Sequence, residues 1–146
     1  MKKHPLMNCI NDPERHSYEV TIGTDIGQFT GKVYCREEDW GRESRFFGFE
    51  LAEIKAEILY ARAKKKLYDE KAAALSEFAF DMSQTRTYEG NAFWVKKINH
   101  RIADYVYQRS QYDELITKLQ TAYKTKIDTW DRVVSKSNRC KEYNND

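Results

Sequence analysis

The apolar positions of this chain change period partway along it. Tyr18, Val20 and Ile22 alternate with Glu19 and Thr21. Phe29, Val33 and Cys35 alternate with Thr30, Lys32 and Tyr34, and Gly31 takes a place on the apolar side. A period of two marks strands with one covered face. Between the runs, Gly23-Thr24-Asp25-Ile26-Gly27 reads as a five-residue, glycine-containing loop. The pattern therefore predicts an antiparallel β-hairpin over 17–36. A lone hairpin is marginal in water, so its apolar face must cover something.

After a charged stretch, Arg36 to Glu43, Ser44 is a suitable helix N-cap and the period lengthens. Phe47, Leu51, Ile54, Ile58, Ala61, Lys65, Tyr68, Ala72, Leu75, Ala79 and Met82 step alternately by four and three. Such a heptad seam predicts a coiled-coil helix over 45–82. Ala52, Ala56, Leu59, Ala63, Ala74 and Phe78 widen the stripe, and the alanines there would admit a further helix closely. Residues 83–91 break the pattern and predict a loop. A second seam runs from Val95 through Ile98, Ile102, Tyr105, Arg109, Tyr112, Ile116, Leu119, Tyr123, Lys126 and Trp130 to Val133, predicting a helix over 92–136. Residues 1–16, with both prolines, read as an irregular arm, and 137–146 as a fraying polar tail. The fold class is α+β, mostly α, in one domain: a β-hairpin followed by a long antiparallel two-helix coiled-coil hairpin.

A short loop forces the helices to be antiparallel neighbours. Facing residue numbers then sum to about 177. That register brings Glu77 and Asp81 toward Lys96 and Lys97, and Glu50 and Glu53 toward Lys124 and Lys126. It also brings the two seam breaks together: Lys65 near Tyr112 and Arg109 near Tyr68, with Asp69 and Asp113 in reach of the cations. One reading is a polar layer that fixes register. The sharper one is an anion pocket of Lys65, Tyr68, Arg109 and Tyr112, suited to a nucleotide or other phosphate.

Paired helices cannot cover both sides of such wide stripes. Phe46, Phe49, Leu59, Leu67, Phe78, Phe80, Phe93, Trp94, Val106 and Tyr107 are left over. Apolar surface on that scale marks interfaces, so a homo-oligomer or a tight protein partner is expected. Basic and aromatic residues also interleave along Arg86, Tyr88, Trp94, Lys96, Lys97, His100 and Arg101, the composition of a nucleic-acid surface.

Charge narrows the classes little: 25 basic against 23 acidic residues give a net charge of +2. No apolar run suggests a membrane span or signal peptide. The odd number of cysteines, three, argues against a disulfide framework and for reduced thiols in the cytoplasm. His4, Cys9, His16 and Cys35 are the only zinc-ligand set in view, and their spacings lack the compact ligand pairs such sites use. Cys35 with His16 is the nearest approach to a nucleophile and base, without an orienting group. The sequence contains no phosphate-binding loop, dinucleotide fingerprint or nucleophile elbow. The expectation is a non-enzymatic interaction protein without catalytic residues, metal or cofactor. Small motif-free chains of this composition are often accessory proteins of phages or mobile elements that inhibit or sequester a host component. The alternatives are an oligomeric binder of a nucleotide or other anion, and a nucleic-acid-binding protein.

Overall fold

The computed structural model describes residues 16–35, 44–84 and 89–144, with side chains described over 17–34, 47–84 and 92–130. The elements are β1 (His16–Thr24), β2 (Gly27–Cys35), α1 (Ser44–Gln84) and α2 (Glu89–Asn144). The fold is mostly helical: an antiparallel two-stranded hairpin followed by two helices packed against each other. By contacts the chain divides into two compact units, one formed by Met1–Tyr60 with Lys118–Asp146, the other by Ala61–Thr117.

In the first unit the period-two pattern acts as predicted. Tyr18, Val20 and Ile22 stand opposite Val33, Gly31 and Phe29 in the strand register. Tyr18, Gly31 and Val33 are buried, and Val20, Ile22 and Phe29 are half-buried. On the exposed face Glu19 pairs with Lys32 at 3.0 Å, and the Thr21 and Thr30 hydroxyls lie 2.8 Å apart. The turn is tighter than the five-residue loop expected. Thr24 pairs with Gly27, so only Asp25 and Ile26 lie between the strands. Gly27 has φ +127°, a conformation that side chains disfavour and glycine accepts. The Thr24 hydroxyl donates to the Gly27 carbonyl at 2.6 Å, closing the turn.

The hairpin face lies on the helices. Tyr18, Val33, Phe47, Leu51, Ala52 and Ile127 form the core, with Val20, Tyr123 and Trp130 packed against it. Phe47 of α1 stacks on Trp130 of α2 at 4.7 Å, and Tyr18 meets Phe49 edge-on at 5.2 Å. Gly31 explains the buried alanines. A Cβ placed on it would run into the Ala52 carbonyl oxygen and come within 2.6 Å of the Ala56 nitrogen. The alanines expected to admit a further helix therefore admit strand β2, and its glycine lets the two backbones touch. Polar ties secure the cover: Lys55 Nζ donates to the Lys32 carbonyl at 3.2 Å, and the Tyr60 hydroxyl to Asp25 Oδ1 at 3.0 Å. Glu50 pairs with Lys126, as the register predicts.

The Ala61–Thr117 unit contains two helical segments and residues 85–88, which lie outside the described residues. Of the loop expected over 83–91, residues 83–84 and 89–91 are helical: α1 runs to Gln84 and α2 starts at Glu89. Its seam residues face inward, but most are only half-buried. Among the described residues of this unit, only Ala61, Lys64, Ala79 and Ile116 are buried. Helix α2 also continues to Asn144, through the stretch expected to fray. Both seams therefore form helices of the expected kind, and both ends of the interruption are helical.

Candidate interaction surface

The polar layer forms within the Ala61–Thr117 unit with the predicted partners. Lys65 Nζ lies 2.9 Å from Asp113 Oδ1, and Arg109 Nη1 lies 2.9 Å from Asp69 Oδ1. Tyr68 stacks on Tyr112 at 5.8 Å and lies 5.9 Å from Tyr105. All four residues of the anion-pocket reading are thus brought together. Both of its cations already hold a carboxylate, and both pairs are well exposed to solvent. Each such pair contributes about 0–1 kcal/mol, so the layer specifies register more than it stabilises.

Lys64 was not legible as a special residue. The run Lys64-Lys65-Lys66 suggests a solvated face, yet Lys64 is only 7% exposed. Its Nζ lies 5.4 Å from the Tyr68 ring centre and 5.8 Å from that of Tyr112. Aromatic faces attract an ammonium once water is withdrawn, which compensates part of the burial. The only available signal was the tyrosine four residues on and the tyrosine facing it across the register. Lys71 repeats the arrangement over Tyr68 and Tyr105, at 5.7 and 5.6 Å.

Beyond this layer lies an open groove of about 730 Å³. Its apolar lining comes from Ala74, Leu75, Trp94, Ile98 and Tyr105; Lys71, Lys97, Arg101 and Asp104 supply charge. Lys97 Nζ sits 4.8 Å from the Phe93 ring centre and 5.5 Å from that of Trp94. Tyr105, the main cause, and Asp104, a smaller one, hold the Arg101 guanidinium further toward its charged form. The expected pairing of Glu77 and Asp81 with Lys96 and Lys97 does not occur within the chain. Among the described residues these four form no ion pair. Lys97 goes to the rings on its own helix instead.

Trp94, Lys97 and Arg101 of the basic–aromatic stretch thus meet in one groove, and Lys96 is exposed nearby on α2. Arg86 and Tyr88 lie outside the described residues. In the same unit, Phe78, Phe80, Phe93, Trp94 and Tyr107 are all more than half exposed, and Val106 is exposed as well. Phe49 and Leu59 of the first unit are also exposed, Leu67 is half-buried, and the Phe46 side chain lies outside those described.

Of the zinc set, His4 and Cys9 lie outside the described residues. The backbones of His16 and Cys35 pair across the hairpin. Among the described residues no group of three or more His, Cys, Asp or Glu could hold a metal ion, and no helix is long and apolar enough to cross a membrane. No family model, curated protein or solved structure matches the chain.

Proposed function

We propose that this protein is a non-enzymatic interaction module that self-associates and engages a protein partner through the Ala61–Thr117 unit. One observation supports this reading above the rest: five large aromatic side chains of that unit are more than half exposed, while its own interior buries almost nothing large. Apolar side chains left in water at this density cost solubility unless a partner covers them. The small, motif-free sequence supports the fuller form of the proposal, a phage or mobile-element accessory protein that inhibits or sequesters a host component. Native mass spectrometry of the gently purified protein, followed by its denatured mass, tests the reading. A bare oligomer is expected. A bare monomer at tens of micromolar would count against self-association, and a small retained adduct would favour the anion-binding alternative.

Single-stranded nucleic acid is a second reading, favoured by the cations and rings that share the groove. It ranks lower because Lys97 already occupies ring faces of Phe93 and Trp94 on which a base would stack. It predicts salt-dependent oligonucleotide binding that disappears in the Lys96→Glu, Lys97→Glu variant. The anion reading at the polar layer requires a ligand to compete with Asp113 and Asp69 for their cations.

A further inference from the structure

The groove and the acidic flank beside it are complementary to each other, and the chain does not join them. On α1, Glu77 and Asp81 continue the stripe of the groove residue Ala74, at steps of three and four, and Phe78 follows one turn after Ala74 and Leu75. On α2 the matching stripe is Lys97, Arg101 and Asp104. Beyond Lys71, the α1 flank therefore carries two carboxylates beside an exposed phenylalanine, and before Asp104 the α2 flank carries two cations beside Trp94 and Ile98. Glu77, Asp81 and Lys97 are exposed, and none has an ion pair among the described residues.

Register decides where the complement can come from. Within this unit, Lys65 with Asp113 and Asp69 with Arg109 fix facing numbers at a sum of about 177. Glu77 and Asp81 thus stand level with residues 96–101 of α2. Rotation by 180° about an axis parallel to the helices preserves that level. It lays α1 of one copy over α2 of another, so the acidic flank meets the basic groove twice, once in each direction. A two-fold interface requires such self-complementarity.

We propose that the occupant of the Trp94 groove is a second copy of this chain, whose Phe78 enters the groove while its Glu77 and Asp81 pair with Lys97 and Arg101. This rests on the self-association reading above and specifies its contacts. A foreign acidic peptide could meet the cations; a second copy meets them and also withdraws its own exposed Phe78 from water.

The test is a charge-reversal exchange. Full-length Lys97→Glu, Arg101→Glu and full-length Glu77→Lys, Asp81→Lys are prepared separately, and masses are read by light scattering at tens of micromolar. Each variant sets like charges against like in a self-pair, so each alone is expected at monomer mass with unchanged helical circular dichroism. Mixed one to one, both contact sets become attractive, and the dimer mass returns. A misfolded variant would not be rescued by mixing, which keeps the result readable. If the wild type is dimeric and both reversals remain dimeric, this pairing is overturned while self-association stands. If the wild type is monomeric, both fail. A wild-type monomer that carries an acidic peptide or oligonucleotide, lost in Lys97→Glu, Arg101→Glu, also overturns the pairing and gives the groove a different occupant.

Discussion

The two units use one heptad pattern and bury it to different depths. In the unit that contains the β-hairpin, strands lie on the helices, and the seam residues Phe47, Leu51 and Ile58 are buried, as are Ala52 and Ile127 off the seam. In the Ala61–Thr117 unit the same spacing leaves Tyr68, Leu75, Ile98 and Tyr105 half-buried. The difference lies in what covers the stripe. A seam pairs two helices, but two helices alone enclose little volume, and a further layer is needed to exclude water. The chain places that layer on the first unit, with Gly31 permitting contact of strand with helix. It offers none to the second among the described residues. We read the uncovered stripe as the working surface.

This contrast breaks most readily at Gly31. Gly31→Ala sets a methyl group against the Ala52 carbonyl, where backbone has to move. The expected loss is on the order of 4 kcal/mol or more, read as a collapse of the urea midpoint. Gly48→Ala approaches the Tyr18 ring to 2.8 Å, and a ring can shift, so about 1–3 kcal/mol is expected.

Truncating side chains in the two units sharpens the comparison next. Leu51→Ala or Ile127→Ala in the covered unit should cost about 2–5 kcal/mol. Phe80→Ala or Tyr107→Ala should change the stability of dilute protein by no more than about 0.5 kcal/mol, because both side chains are already in water. Comparable losses in both sets would mean that the second unit holds a hidden core.

At the polar layer, Arg109→Met should be tolerated within about 1 kcal/mol, since the pair it breaks is well exposed. Asp69 reaches water when its partner is removed. A larger loss in chemical denaturation would show that the layer does more than fix register.

The smallest expected effect concerns pH. Burial, and secondarily the Glu53 carboxylate, raise the pKa of Glu57 above its ordinary value. Folding therefore opposes the ionised form. Stability falls as pH rises through the ordinary value to the raised one, and the penalty is complete above it. Glu57→Gln should raise the thermal midpoint slightly at pH 7. The gain should vanish below the ordinary carboxylate pKa.

Much of this was legible in the sequence because heptad spacing is a geometric statement. Both helices, their antiparallel register and the meeting of Lys65 and Arg109 with Asp69 and Asp113 followed from counting threes and fours, while which carboxylate each cation takes did not. What counting missed depends on tertiary neighbours. Ala52 and Ala56 signal a close approach without saying whether helix or strand makes it. Lys64 is buried because tyrosines from two helices converge on it, a contact visible only after the register is known. Lys97 was expected to meet acids across the helix pair, yet its ammonium lies over the Phe93 and Trp94 rings of its own helix. Arg86 and Tyr88 of the basic–aromatic stretch lie outside the described residues.

On the proposed reading the Ala61–Thr117 unit depends on association for its cover, whereas the strand-covered unit carries its own. Hydrogen–deuterium exchange at two protein concentrations, about a hundredfold apart, addresses this directly. Amides open locally where few apolar contacts hold them closed. Amides of 61–117 are expected to exchange more slowly at the higher concentration, while those of 47–58 keep the same rates. Rates in 61–117 that do not change with concentration would contradict it.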